Sequence, residues 1–287
     1  MQHWSAIFHT REEFSEWSAQ SGELLAFRRS LERALADRLQ EAEEHASIYF
    51  GYCVACNRHE HFLYDLQFSD GINVNWRERL VCKRCGLSNR QRVAFGLASP
   101  FLLDPHRTVY LTEAHSILAG RMRALDEALT TSEFLLPAVS PGSFDENGTR
   151  CEDLRHLTFS DATFDCVLCY DVLEHIYDFR SALREIWRIL KHGGAAYISV
   201  PFAISSTSNI VRAELNQSGE VRHLLEPEFH GDPIDPEKGI LCFYHFGWEL
   251  LADMRSVGFF DVSLHLIWSS DFANIGEEQI IVCARKS

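Results

Sequence analysis

Residues 158–201, TFSDATFDCVLCYDVLEHIYDFRSALREIWRILKHGGAAYISVP, decide the fold of this chain. They contain a short apolar run, Phe164 to Tyr170, of the kind that a parallel strand needs when helices cover both faces of its sheet. An amphipathic helix is predicted from Phe179 onward and should end at Lys191-His192-Gly193-Gly194. A second apolar strand, Ala195 to Val200, follows. This order is half of a doubly wound α/β sheet, which is the fold class we predict.

The pattern FDxVLxxDVLEHIxDxxxALREIxRxLKxGGxxxxSVPF in this stretch resembles the second half of class I S-adenosylmethionine (SAM) dependent methyltransferases. In that superfamily the elements "FD", "EH", "RxLKxGG" and "VP" recur in this order. The resemblance implies a seven-stranded Rossmann-like sheet whose last strand runs antiparallel. It also implies an enzyme that transfers a methyl group from SAM.

Length and charge narrow the function. With 287 residues, 46% of them hydrophobic, the chain can bury the core of one large domain and carry an appendage. Its net charge of -14 repels phosphate backbones, which favours a small-molecule substrate over nucleic acid. No apolar run approaches the roughly 18 residues of a membrane span, and no signal-peptide pattern opens the chain. We therefore expect a cytoplasmic protein that does not enter membranes.

We predict three regions: a helical segment at 1–48, a zinc ribbon at 49–92, and a methyltransferase domain at 93–287 with a substrate-loop insertion at 202–246. The first region has apolar residues at helical spacing, namely Leu24, Phe27, Leu31, Leu35 and Leu39. They predict one long amphipathic helix within 11–46. That helix either packs on the body of the protein or forms a homodimer contact or a lid.

Two CxxC pairs, Cys53-x-x-Cys56 and Cys82-x-x-Cys85, lie 25 residues apart. Each pair can turn tightly around a metal ion, and a predicted hairpin over 61–76 joins them. The spacing predicts a four-thiolate zinc site, which is structural because a closed tetrahedral site leaves no position for substrate. Disulfides are the alternative, although nothing marks the chain as secreted.

A branch of the superfamily also has two CxxC pairs, an arginine-containing helix and a Glu-bearing turn where other members have glycines. This chain looks like that branch from Cys53 onward. The resemblance implies that the turn Glu113-Ala114-His115, after a first strand at 108–112, faces the cofactor through Glu113. Arg90 and Arg92 are either solvated or close to the methionine carboxylate of SAM, which a guanidinium can bind through paired hydrogen bonds.

Acidic residues are also expected at the next strand ends. Glu133, followed by Phe134, is the predicted ribose ligand, since a carboxylate there accepts hydrogen bonds from both ribose hydroxyls. The resemblance places Asp153 against the adenine amino group and gives the backbone N–H of Leu154 to the same ring. An exposed loop acid is the alternative for Asp153. The remaining predicted cofactor-binding residues are Tyr170 and Asp171.

Three histidines are predicted as general-base candidates. His175 follows the fourth strand, and its pKa suits proton abstraction from an oxygen nucleophile. His230 and His245 are its rivals on the 202–246 insertion, which should be an irregular loop. Alternatively, His175 belongs to a structural hydrogen-bonded pair with Glu174, or binds a divalent metal ion together with Glu174 and Asp171.

The leading prediction is a SAM-dependent methyltransferase that acts on a small molecule, such as a sugar or another oxygen nucleophile. A zinc-containing RNA base methyltransferase is the alternative, although the acidic charge and the absence of a Cys-His zinc set speak against it. A non-catalytic binding protein with the SAM fold is a further alternative, because the glycine-rich turn is missing.

Overall fold

The computed structural model describes residues 4–41, 46–231 and 237–287. It divides into two compact units. Unit 1 comprises Met1–Pro100 and His265–Ile280, and unit 2 comprises Phe101–Leu264 and Ile281–Ser287. None of the described helices combines the length and the apolar character that a membrane crossing requires.

Unit 1 begins with a strand and two helices, and then forms a small antiparallel sheet. Its elements are β1 (Trp4–Phe8), α1 (Arg11–Gln20), α2 (Gly22–Glu41), β2 (Ala46–Cys53), β3 (Arg58–Asp65), β4 (Val81–Cys82) and α3 (Asn89–Leu102), the last of which runs on past Pro100. The segment predicted as one helix is therefore two. They separate at Ser21, which caps α1 by donating its N–H to the carbonyl of Ser18.

The cysteine pairs lie on a different hairpin from the one predicted over 61–76. Strands β2 and β3 pair in antiparallel register up to Cys53↔Arg58, so the first CxxC pair occupies the turn that connects them. The second pair begins at the end of β4, which pairs with β3 through Phe62↔Cys82. The predicted pairing is wrong because residues 47–52, SIYFGY, are rich in the aromatic and β-branched residues that favour strands.

Unit 2 is an α/β structure with short strands in its insertion. Its elements are β5 (Val109–Leu111), α4 (Ile117–Arg123), β6 (Thr130–Thr131), β7 (Phe164–Tyr170), a 3-10 turn (Leu173–His175), α5 (Phe179–Ile189), β8 (Leu190–Ser199), β9 (Ile210–Val211), β10 (Ala213–Leu215), β11 (Val221–His223), β12 (Phe229–His230), β13 (Ile240–Leu241), β14 (Tyr244–His245) and α6 (Glu249–Val257). Two long strands, β15 (Phe259–Ser269) and β16 (Asn274–Lys286), end the chain and contribute to both units.

The main sheet has the order β1-β15-β16-β8-β7-β5-β6. Strands β6, β5, β7 and β8 are parallel to their neighbours, and β16 is antiparallel to β8. Every residue of β7, the central parallel strand, is buried, as expected for a strand covered on both faces. The predicted doubly wound α/β fold, with a mostly parallel sheet and an antiparallel last strand, is confirmed.

Within the stretch that decides the fold, β7 and α5 lie where they are predicted. The segment between α5 and the next strand differs, because β8 begins at Leu190, directly after the helix. The predicted turn at 191–194 is instead an irregularity in β8, where the register with β7 shifts between Phe164 and Cys166. Gly193 has a φ of 72° there, which a side chain would disfavour.

The two edges of the sheet depart from the prediction. Residues 149–154, whose sequence predicts a third strand ending at Asp153 and Leu154, form only two isolated bridges, Glu133↔Cys151 and Phe144↔Arg150. Strand β1, which the sequence analysis does not place, lies beside β15 at the opposite edge. The 202–246 insertion, predicted to be irregular, contains the antiparallel pairs β9–β14, β10–β11 and β12–β13.

Asp165 anchors the start of β7. Its carboxylate lies 2.7 Å from Lys191 Nζ and 3.0 Å from Arg107 Nη1, and it accepts a 2.9 Å hydrogen bond from the Thr108 N–H. Burial opposes ionisation, but the hydrogen bonds from Lys191, Thr108 and Arg107 outweigh it and hold the pKa of Asp165 well below its usual range. The carboxylate therefore stabilises the fold above the unfolded-state pKa of about 4. That stability is lost as the pH falls through the lower, folded-state pKa.

We predict that Asp165→Asn lowers the free energy of unfolding by about 1–2 kcal/mol at pH 7, since both cations are partly exposed. In urea titrations from pH 7 to pH 3, the gap between wild type and variant should close toward the acid end. Asp161→Asn is the matched control, because the Asp161 side chain is 78% exposed. A gap that stays constant over this pH range would contradict the assignment.

Candidate functional site

The parallel strands β6, β5 and β7 are neighbours, so the turns that follow them lie along one edge of the sheet. Each turn carries a carboxylate: Glu133 after β6, Glu113 after β5 and Asp171 after β7. In open α/β sheets, ligands bind outside the carboxyl ends of the strands. This edge is the candidate cofactor site. Of the ten predicted cofactor-binding residues, nine belong to unit 2, which contains these turns, and Arg90 belongs to unit 1.

Glu133 holds the turn after β5. Its Oε1 accepts hydrogen bonds from the backbone N–H groups of Ala114 (2.8 Å) and His115 (3.1 Å). None of residues 112–116 has a positive φ, so the turn does not need the conformational freedom of glycine. The Glu133 carboxylate thus occupies two backbone N–H groups of this turn, which a glycine-rich turn would leave available to a ligand. All of its described hydrogen bonds go to Oε1, and the neighbouring Phe134 is 54% exposed.

Asp153 is a buried carboxylate rather than an exposed loop acid. It is 7% exposed and forms a two-pronged ion pair with Arg155, through Nε at 2.9 Å and Nη2 at 2.6 Å. Burial opposes ionisation, yet the hydrogen bonds from Arg155 lower the pKa of Asp153 below its usual value. Leu154 follows it and is also buried. Asp153 therefore stays charged, with part of its acceptor capacity already used.

The tip of β7 is strained at Asp171. This residue has a φ of 53°, in the left-handed region that non-glycine residues seldom adopt. Ser199 holds it there, because the Asp171 N–H donates to the Ser199 carbonyl at 2.9 Å and the Ser199 hydroxyl donates to Oδ1 at 3.1 Å. Such strain persists where the surroundings over-determine a conformation, often at ligand sites. Tyr170, one residue earlier, is buried, and burial raises its pKa far above the usual value.

The two arginines after the second CxxC pair have different surroundings, both within unit 1. Arg90 places Nε 2.7 and 2.9 Å from the two carboxylate oxygens of Glu78. Arg92 is fully buried, donates to backbone carbonyls including that of Leu87 at 3.2 Å, and lies 4.3 Å from the ring centroid of Phe62. The solvated alternative is therefore wrong for Arg92.

The four predicted zinc ligands converge. The Sγ atoms of Cys53 and Cys85 are 3.8 Å apart, as are those of Cys56 and Cys82, and all four lie within 4.8 Å of one another. All four thiols are free, so the disulfide alternative is wrong. Sulfurs held tetrahedrally at about 2.3 Å from one zinc ion lie about 3.8 Å apart. This geometry fits a tetrathiolate zinc site.

The structure brings the three rival histidines together. His175 and His230 meet edge to face, with ring centroids 4.9 Å apart. His230 and His245 both direct Nε2 at Oε1 of Glu228, at 2.9 and 3.0 Å. One cluster at the carboxyl end of β7 therefore contains all three.

The pKa values of the groups in this cluster shift in different directions. Burial lowers the pKa of His175. The Cys242 thiol and then the nearby Glu174 carboxylate raise the pKa of His230 to about 11, against the effect of burial. Burial raises the pKa of Glu228, but its hydrogen bonds from His230 and His245 lower it more.

Two residues of this cluster are not predicted from the sequence: Glu228, the acceptor shared by two histidines, and Cys242. One signal for Glu228 was present, because it lies only two residues before His230 in the sequence, close enough for its carboxylate to reach that ring at 2.9 Å. No comparable signal marks Cys242, which is buried and donates to the carbonyl of Tyr244 at 3.2 Å.

Comparison with known proteins finds a family and a partial relative. Residues 122–198 match the family model described as a methyltransferase domain. An uncharacterized protein of Methanocaldococcus jannaschii is 36% identical over 73 residues, which are 25% of this chain and 30% of that protein. The chain thus spans less than a third of the length of this curated relative.

Solved structures of SAM-dependent methyltransferases are also similar to this chain. A methyltransferase of Mesorhizobium loti shares 15% identity over 67% of this chain and 98% of its own, with a TM-score of 0.40. The 1,6-didemethyltoxoflavin-N1-methyltransferase of Burkholderia thailandensis shares 18% over 69% and 78%, with a TM-score of 0.41. A methyltransferase of Methanosarcina mazei shares 14% over 66% and 96%, with a TM-score of 0.37. At this similarity they say nothing about the acceptor of this chain.

The family match covers β7, α5 and most of β8, which are the elements of the stretch that decides the fold. The sheet order and the antiparallel β16 agree with it. Together they support a SAM-dependent methyltransferase.

Proposed function

We propose that this chain methylates an oxygen nucleophile of a small-molecule acceptor, with SAM at the ends of β5, β6 and β7. The observation that carries the proposal is the histidine cluster beside the tip of β7, which supplies proton acceptors next to the candidate cofactor site. The net charge of -14 favours a small acceptor over RNA. A reducing compartment such as the cytoplasm fits the nine free thiols.

The residues present fit the cofactor. Glu133 has a second carboxylate oxygen for the ribose hydroxyls, and the exposed ring of Phe134 is suited to stack on a base. Asp153 would accept a hydrogen bond from the adenine amino group beside Leu154.

When bound, SAM supplies a methyl group on a sulfonium that leaves as a neutral thioether. The protein's part is to orient the acceptor, exclude water and receive the proton of its hydroxyl. His175 is suited to receive that proton, because burial lowers its pKa and keeps it neutral near pH 7. Its Nδ1 lies 2.8 Å from the Leu241 carbonyl, so the proton belongs on Nδ1 and Nε2 is the basic atom.

We also propose that the four cysteines bind one structural zinc ion. The sulfur separations fit tetrahedral coordination, as described above. The buried guanidinium of Arg92, whose Nε has no hydrogen-bond partner among the described residues, supplies a positive charge next to the thiolates. A tetrathiolate zinc centre carries two negative charges, which such a cation would partly balance.

Calorimetry with SAM tests the cofactor site. Glu133→Ala should weaken SAM binding by about tenfold to a hundredfold, since it removes charge-assisted hydrogen bonds to the ribose. Glu127→Ala, at an exposed acid of the preceding loop, is the matched control and should bind normally. Unchanged affinity in a folded Glu133→Ala protein would remove the ribose assignment.

The alternatives have separate outcomes. If zinc-loaded wild-type protein in reducing buffer binds no SAM, the non-catalytic binding protein is favoured. Salt-dependent RNA binding would instead revive the RNA methyltransferase.

A further inference from the structure

The Glu174 carboxylate is buried without a hydrogen-bond partner among the described residues. Its exposed fraction is 0%, and neither carboxylate oxygen forms a hydrogen bond with any described residue. The nearest cationic candidates are His230 Nδ1 and His175 Nε2, at 3.6 and 3.8 Å from Oε1, which is beyond hydrogen-bond length. Removing a carboxylate from water costs several kcal/mol unless a positive charge compensates. The site therefore calls for a cation.

Both histidines place a ring nitrogen near this carboxylate. The Leu241 carbonyl lies 2.8 Å from Nδ1 of His175, so Nδ1 carries the proton and Nε2 is free to coordinate. The Glu228 carboxylate lies 2.9 Å from Nε2 of His230, which keeps a proton there, so Nδ1 is the atom that a metal ion would take in exchange for a proton. A histidine that binds a metal ion usually donates the N–H of its other ring nitrogen to an acceptor, which orients the ring.

We propose that Glu174, His175 and His230 bind a divalent transition metal ion, with zinc favoured by the donor set. One atom from each residue lies within 4.8 Å of the others. Ligands about 2.0–2.1 Å from zinc lie about 3.0–3.5 Å apart, so closing around the ion requires only a small contraction. Two imidazoles and one carboxylate are also the ligands of catalytic zinc sites, which keep a position open.

This ligand set differs from the one considered in the sequence analysis. Asp171 is not part of it, because its carboxylate accepts from Ser199. His230 takes its place from the insertion. Glu228 orients rather than coordinates, since its carboxylate also receives His245 Nε2 at 3.0 Å and Arg212 Nη2 at 3.1 Å.

The metal ion would deepen the proposed function, and this step rests on it. An open coordination position at the tip of β7 suits an acceptor hydroxyl, whose pKa a bound zinc ion would lower. With Nε2 of His175 on the ion, the metal would activate the hydroxyl in place of that nitrogen, and the hydroxyl would release its proton to solvent. The acceptor class is then a hydroxyl compound that coordinates the metal through the oxygen to be methylated.

Metal analysis tests the site without any methyl acceptor. Purified protein is equilibrated with excess Zn²⁺, freed of loose metal, and measured for zinc per chain. Wild type should hold two zinc ions, whereas Glu174→Gln and His230→Gln should each hold one. Glu228→Gln should weaken the second zinc about tenfold to a hundredfold. His223→Gln, at an exposed histidine of the same insertion, should still hold two.

Cobalt substitution identifies which zinc is lost and does not depend on the variants folding. Thiolate-to-cobalt charge transfer reports the cysteine site alone, so wild type should show a second Co²⁺ equivalent without that band. One metal ion per chain in wild type would overturn the proposal and favour a protonated His230 between Glu174 and Glu228. SAM calorimetry on the same samples separates this failure from a failure of the proposed function.

Discussion

Cys82→Ser is expected to abolish zinc binding at the cysteine site and to lower the free energy of unfolding by about 4–5 kcal/mol. The metal ion would connect the β2–β3 turn, with Cys53 and Cys56, to the turn after β4, with Cys82 and Cys85. No disulfide joins the two turns, because these four described thiols are free. Thermal unfolding and zinc content, measured on the same preparation, should fall together.

The control separates loss of the metal from the cost of a buried hydroxyl. Cys151→Ser changes a fully buried cysteine outside the cluster, and should lower stability without lowering the zinc content. A Cys82→Ser protein that keeps full zinc and wild-type stability would contradict the tetrathiolate site. Chelation of the wild-type protein should reproduce the effect of the variant.

The elements that the sequence predicts well are those whose burial is decided locally. Strand β7 is apolar throughout, and the apolar stripe of α5 recurs at helical spacing, so both lie where predicted. The β2–β3 hairpin is not predicted correctly, because two strand-like segments, 47–52 and 72–76, flank β3 in the sequence and either could pair with it. Strand β1 is too short for periodicity to mark it.

The residues of the candidate site also differ in how well the sequence predicts their arrangement. The CxxC spacing carries its own geometry, so the cluster of Cys53, Cys56, Cys82 and Cys85 was predictable. The histidine cluster was not, since His230 and His245 meet at Glu228, and His230 meets His175, only after the insertion has folded back. The sequence marks Glu133 as a strand-tip acid but does not show that it binds the turn after β5.

Arg92 is the second residue from which a large effect is expected. Its guanidinium donates to the carbonyls of Leu80, Leu87 and Ala273 and lies over the ring of Phe62. Burial lowers its pKa to about 10, while the neighbouring thiols act in the opposite direction. Arg92→Met should therefore remove a donor from three buried carbonyls, of which Leu87 keeps the 3.0 Å hydrogen bond from the Cys82 N–H, and leave the proposed zinc centre without its nearby cation. We expect a loss of about 3–5 kcal/mol in the free energy of unfolding.

Zinc retention distinguishes the charge of Arg92 from its hydrogen bonds. Arg92→Met should release zinc to a competing chelator at least about tenfold faster than wild type, whereas Arg92→Lys, which keeps the charge but loses the fork of donors, should fall between them. Arg90→Met is the matched control, because Arg90 pairs with Glu78 rather than with the backbone carbonyls beside the cysteines. If the cation and the metal centre stabilise each other, Arg92→Met should cost less stability in a Cys82→Ser background than in wild type. Strictly additive losses would mean that Arg92 serves only the three carbonyls, and that the charge of the zinc centre is balanced elsewhere.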